Sequence, residues 1–143
     1  MKLVENGNEP SQQQQEVLSL LARWQQYLSA KKLDDLCSLY AADAALWGTF
    51  ISTQRITNTA IRSYFEELLH SQSCKVHFLD KYLRCFDNTA ICSGLYSFVL
   101  NDDDFETEVI ARFSMTFHQR NGQWLIVEHH SSRRDALLPN NVH

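Results

Sequence analysis

The segment His129-His130-Ser131-Ser132 puts two imidazoles and two hydroxyls in four consecutive positions, residue types that carry proton transfer, metal binding and nucleophilic catalysis. The backbone decides which of these is open. On a β-strand, neighbouring side chains point to opposite faces, so His129 and His130 cannot chelate one ion. No HExxH, His-x-His or Cys/His ligand spacing occurs among the six histidines and four cysteines, and no protein-bound metal is expected. A Ser-His-Asp triad lacks the Gly-x-Ser-x-Gly elbow. The four glycines, at 7, 48, 94 and 122, exclude a phosphate-cradling loop, so no nucleotide or other cofactor is implied. Asp102-Asp103-Asp104 lacks the glycine and terminal glutamate of a calcium loop and reads as a solvated hairpin tip.

What remains is hydrogen bonding and proton transfer inside an enclosure, and strand parity selects the residues for it. Over 106–118, Val109, Ala111, Phe113, Met115 and Phe117 alternate with Glu108, Arg112, Ser114 and Thr116, so odd positions face the core. Over 123–132, Leu125 and Val127 are expected inward, and continuing the alternation turns His129 and Ser131 inward and His130 and Ser132 outward. Tyr64 falls on the apolar stripe of a helix with Ile61, Phe65, Leu68 and Leu69, and its hydroxyl must end at a polar partner. Thr49 follows Leu46 and Trp47 at the end of a short strand, beside Gly48, where backbone or ligand can approach closely. Thr49, Tyr64, His129 and Ser131 are thus either a satisfied hydrogen-bonded core cluster or the lining of a pocket.

The elements that must position them follow from periodicity and turn chemistry. Ser11 is an N-cap for a first helix whose Val17, Leu18, Leu20, Leu21, Trp24 and Leu28 repeat at helical spacing. A second short helix is expected from Leu33 towards Asp43, a strand over Leu46-Ile51, and a third helix from about Thr57 to Thr59 onward. Four strands then follow at 75–85, 90–100, 106–118 and 123–132, separated by Asp87-Asn88, Asn101-Asp104 and Asn121-Gly122. Asn-Gly is the strongest short hairpin signal, and the four strands read as an antiparallel meander. Helices first and sheet afterwards make an α+β fold, with N-terminal helices on one face of a strongly curved antiparallel sheet.

Bulk properties narrow the function further. At 143 residues and 44% hydrophobic content the chain is one domain, read as 11–138 between a flexible tail over 1–10 and a C-terminal tail over 139–143. Thirteen Lys and Arg against seventeen Asp and Glu leave a net charge of -4 without blocks, so neither nucleic acid nor a membrane surface is an expected partner. No run approaches a membrane span or a signal peptide, which places the protein in the cytoplasm. Irregularly spaced Cys37, Cys74, Cys85 and Cys92 read as buried reduced thiols. The outward sheet positions Ile110, Arg112, Ser114, Thr116 and His130 form a mixed patch that is expected to be a homo-oligomer contact, a dimer first.

In chain order, Tyr40-Ala-Ala-Asp-Ala44, Leu46-Trp-Gly-Thr49, Ile61-Arg-Ser-Tyr-Phe-Glu66, Ala111-Arg-Phe-Ser-Met115, Gly122-Gln-Trp-Leu-Ile-Val127 and His129-His-Ser-Ser132 resemble the calcium/calmodulin-dependent protein kinase II association domain. That family lies in the cone-shaped cystatin/NTF2-like superfamily that also holds ketosteroid isomerases. Within it, LWGT combined with HHSS is most similar to iota-class carbonic anhydrases, metal-free enzymes of carbon dioxide and bicarbonate. For them the resemblance implies substrate-holding Thr49, Tyr64 and Ser131, with His129 nearby to take the proton; His130 and Ser132 are the alternative register. Two departures stand out. Arg133-Arg134-Asp135 replaces the expected Met-Pro, and the stretch where ketosteroid isomerases carry a carboxylate base, Leu46-Thr49, holds no acid. The rival expectation from the same resemblance is a non-catalytic, pocketed oligomerisation module.

Overall fold

The computed structural model describes residues 2–3, 9–70 and 72–134. The first helix, α1 (Gln12–Ser29), starts where Ser11 caps it: the Ser11 hydroxyl accepts from the Gln14 amide, and the Gln14 side chain accepts from the Ser11 amide. This reciprocal pairing satisfies two otherwise free donors. Its buried stripe of Val17, Leu20, Leu21, Trp24 and Leu28 lies against the sheet, chiefly strand β4 (Ser73–Phe86). Helix α3 (Asn58–Leu69) buries Ile61, Tyr64, Phe65, Leu68 and Leu69.

The expected four-stranded meander forms, each strand extending one or two residues beyond the sequence reading: β4, β5 (Thr89–Asn101), β6 (Glu106–Arg120) and β7 (Gln123–Arg133). Asn121 and Gly122 both have positive φ, at 53° and 79°, the backbone a two-residue hairpin of matching twist needs. Asp102-Asp103-Asp104 lie at an exposed hairpin tip, where the Asp102 carboxylate accepts from the amides of Asp104 and Phe105. Three short strands complete an open sheet of order β1-β4-β5-β6-β7-β2-β3. They are β1 (Lys2–Leu3), β2 (Tyr40–Trp47) and β3 (Arg55–Ile56). The architecture is the expected α+β plan, helices on one face of a curved, mostly antiparallel sheet.

Three readings change. The second helix, α2 (Leu33–Ser38), stops at Ser38 rather than near Asp43, and Tyr40–Trp47, not Leu46-Ile51, is the strand. Local helical spacing lost here to sheet pairing: β2 runs parallel to β7, with Leu46 opposite His129 and Trp47 opposite His130. Lys2–Leu3, read as tail, pair parallel with Tyr82 and Leu83 on the β4 edge. The expected tails at 4–8 and 139–143, and the domain end at 135–138, lie outside the described residues.

The third change concerns β7. Trp124 and Ile126 are buried while Leu125 and Val127 are only half-buried, the reverse of the expected parity. The ladder explains why the conclusion for His129 nevertheless stands. Phe117 pairs with Ile126 and Thr116 with Glu128, leaving Val127 as an extra residue in a β-bulge. One unpaired residue flips every later side chain, so His129 and Ser131 turn inward and His130 and Ser132 outward.

Candidate functional site

His129 is 2% exposed and both of its ring nitrogens are engaged. The Tyr40 hydroxyl lies 2.8 Å from Nδ1 and the Tyr96 hydroxyl 3.0 Å from Nε2. Behind Tyr40, the Trp24 indole N–H donates to the same hydroxyl at 3.1 Å. Three elements therefore converge on one imidazole: α1 through Trp24, β2 through Tyr40 and β5 through Tyr96. Burial, with a smaller contribution from neighbouring His130, pushes the His129 pKa from 6.5 down to about 3. The expected proton acceptor near neutral pH is thus a neutral imidazole held between two phenols.

The other three sequence candidates gather at the same place. Thr49 and Ser131 are hydrogen-bonded through their hydroxyls, and both lie beside the Tyr96 oxygen. Thr49 sits in the turn after β2 rather than in a strand. Tyr64 reaches across from α3 with its hydroxyl against the backbone of Phe50 and Thr49. Gly48 makes room for it: a Cβ there would stand 2.6 Å from the Tyr64 hydroxyl oxygen, inside contact distance. Burial raises the pKa of Tyr64, Tyr96 and Tyr40 above the usual phenol value, so all three remain protonated at physiological pH.

Trp24, Leu28, Leu46, Phe65, Leu68 and Phe98 supply the apolar wall around this polar end. The space leaves about 10 Å3 for the centre of a water molecule, about the threshold for holding one water. A wider cleft of about 210 Å3 opens outside, bordered by Phe50, Ile51, Glu67 and Gln72. Tyr64 and Leu68 line both spaces.

Tyr40, Tyr96 and Trp24 were not legible as site residues. Tyr40 falls within the helical spacing expected from Leu33 towards Asp43, and Trp24 is indistinguishable from core in a helical stripe. Tyr96 carried a signal in its polar tip, on a strand whose other inward residues include Ala90, Cys92 and Phe98. The alternative pair His130 and Ser132 is exposed on the opposite face. Among the described residues no group of three His, Cys, Asp or Glu side chains converges to hold a metal ion. All four cysteines are free, with Cys85 half-buried and the rest buried; burial pushes the Cys74 and Cys92 thiols up to about 12, far from the thiolate a nucleophile needs. No described helix is long and apolar enough to cross a membrane.

Comparison with known proteins agrees with this architecture. Residues 13–135 match the family model of the calcium/calmodulin dependent protein kinase II association domain. A Xanthomonas campestris protein assigned to that same domain family shares 29% identity, with 96% of this chain and 95% of that chain covered, at a TM-score of 0.81. An NTF2-like protein with a cystatin-like fold from Novosphingobium aromaticivorans superimposes with a TM-score of 0.73 at 14% identity, covering 86% and 82%. A Streptomyces avermitilis member of the NTF2-like family assigned as a dehydratase reaches 0.76 at 11% identity, covering 83% and 94%. These two share the fold alone. No functionally curated protein matches the chain.

Proposed function

We propose that this chain, which belongs to the calcium/calmodulin dependent protein kinase II association-domain family, is a self-associating module whose inner pocket holds a small oxygen-bearing ligand. The observation that carries this reading is the state of His129: buried, neutral and bonded at both nitrogens, it serves recognition rather than proton removal. His129 and the two phenols hold one another in place, which fixes the polar end of the space that Thr49, Tyr64 and Ser131 line. Self-association is assigned to the sheet face that the helices leave open. One register row across it reads Trp47, His130, Ser114, Ser93 and Tyr82, with Trp47 38% and Tyr82 40% exposed. Bulky aromatics at both ends and small polar groups between them suit a shape-complementary contact with a second copy. Light scattering coupled to size exclusion tests it: a monomer of 16.6 kDa at micromolar concentration refutes the self-association.

A second reading, metal-free hydration of carbon dioxide to bicarbonate, is favoured by the convergence of Thr49, Tyr64 and Ser131 on one cavity with His129. These hydroxyls are suited to donate to the oxygens of a developing bicarbonate. The step also needs a proton acceptor, and a histidine at about 3 is protonated in only about one molecule in ten thousand at pH 7 and is a weak base. The roughly 100- to 10,000-fold that a tuned general base supplies is therefore missing, and turnover is expected to be slow. Stopped-flow hydration on chelator-treated protein decides between the readings. Catalysis lost in Thr49→Ala and Ser131→Ala, with both variants folded, establishes the enzyme; a rate equal to buffer leaves the binding module.

A further inference from the structure

We propose that Trp24, acting through Tyr40 and His129, fixes the Tyr96 hydroxyl as a hydrogen-bond donor to the oxygen of whatever occupies the pocket. The direction follows from proton counting. An indole N–H can only donate, so the Tyr40 oxygen accepts from Trp24. Tyr40 is buried and its own proton has His129 Nδ1 within 2.8 Å. Donating there requires a lone pair on Nδ1, which places the imidazole proton on Nε2. Nε2–H then donates to the Tyr96 oxygen at 3.0 Å. With its His129 side occupied as acceptor, Tyr96 must send its proton the other way, towards Ser131 and Thr49, the side on which the three residues line the cavity.

The opposite tautomer would leave the Tyr40 proton without a partner and would turn Tyr96 into an acceptor facing the pocket. Trp24 and Tyr40 are thus positioning residues that set the sign of a hydrogen bond two side chains away. The ligand this selects presents an oxygen lone pair, as carboxylate-like anions and carbonyl compounds do. A molecule that can only donate finds no acceptor at the Tyr96 position. This identity of the ligand rests on the pocket being a binding site, whereas the proton direction does not.

Imidazole 15N NMR of the uniformly labelled protein tests the direction without any variant. The expected result is a protonated Nε2 and a lone-pair Nδ1, unchanged from pH 7 to pH 5. A proton on Nδ1, or an imidazolium at pH 6, overturns the proposal. Tyr40→Phe should shift the His129 nitrogen signals and mix the tautomers; unchanged signals in the folded variant remove Tyr40 from the chain. Titration with bicarbonate, and separately with guanidinium as a planar donor-only probe, tests the ligand side. Bicarbonate should perturb Tyr96 and His129 resonances, with Tyr96→Phe weakening it about tenfold or more. Guanidinium binding that Tyr96→Phe weakens overturns the donor assignment. Silence from both probes with the Nε2 proton in place removes the ligand reading and upholds the proton direction.

Discussion

Acidifying the protein from pH 7 to pH 5 charges His129 only if the chain unfolds. Its folded-state pKa is about 3 against 6.5 for an accessible imidazole, so between those values the unfolded chain binds a proton that the folded chain does not. A depressed folded pKa means full stability above the unfolded value and progressive loss as pH falls, levelling off below about 3. At pH 5 the difference in proton binding amounts to about 2 kcal/mol, nearly all of it absent at pH 7. For a chain of this length that lowers Tm by roughly 6 to 8 °C. The assay is thermal or urea unfolding at pH 7 and pH 5 for the native protein and for His129→Gln, which cannot take up a proton. His129→Gln carries its own cost from repacking the phenols, so the quantity of interest is the difference in pH dependence. Equal losses in the two proteins between pH 7 and pH 5 would refute the buried neutral state of His129.

Gly48→Ala should destabilise the fold by about 1–3 kcal/mol, because the new methyl meets the Tyr64 ring; a calorimetric Tm equal to the parent's would show that Tyr64 yields freely. Asn58 donates to the carbonyls of Cys37 and Tyr40 at 2.9 and 3.0 Å, tying α3 to the junction that aims Tyr40. Asn58→Ala is therefore expected to cost about 1–2 kcal/mol in urea denaturation and to perturb the His129 resonances. On the open sheet face, Trp47→Glu with Tyr82→Glu should convert the proposed oligomer to monomer without changing the circular dichroism spectrum; an unchanged mass removes this face as the contact.

Where local chemistry decides the outcome, the sequence was sufficient. The Ser11 cap, the apolar stripes of α1 and α3, the odd-numbered core of β6 and the Asn121-Gly122 hairpin each depend on residues within a few positions of one another. The four strands of the meander follow from those turns, and with helices preceding them the α+β plan follows. Tyr64 was legible for the same reason, as a polar-tipped position on the α3 stripe, whereas the alternation that turned His129 and Ser131 inward is reversed at the start of β7 and restored by the bulge. What only the tertiary structure decided depends on partners distant in the chain. Tyr40–Trp47 became a strand because β7 pairs with it, against a helical spacing that looked adequate locally. His129 faces inward because β6 and β7 close around an extra Val127, a parity reversal that no alternation within β7 announces. Trp24, Tyr40 and Tyr96 meet His129 from three elements that lie up to 105 positions away from it in the chain. Their hydrogen bonds, and the burial that keeps the imidazole neutral, come into being only when the sheet curves over the helix.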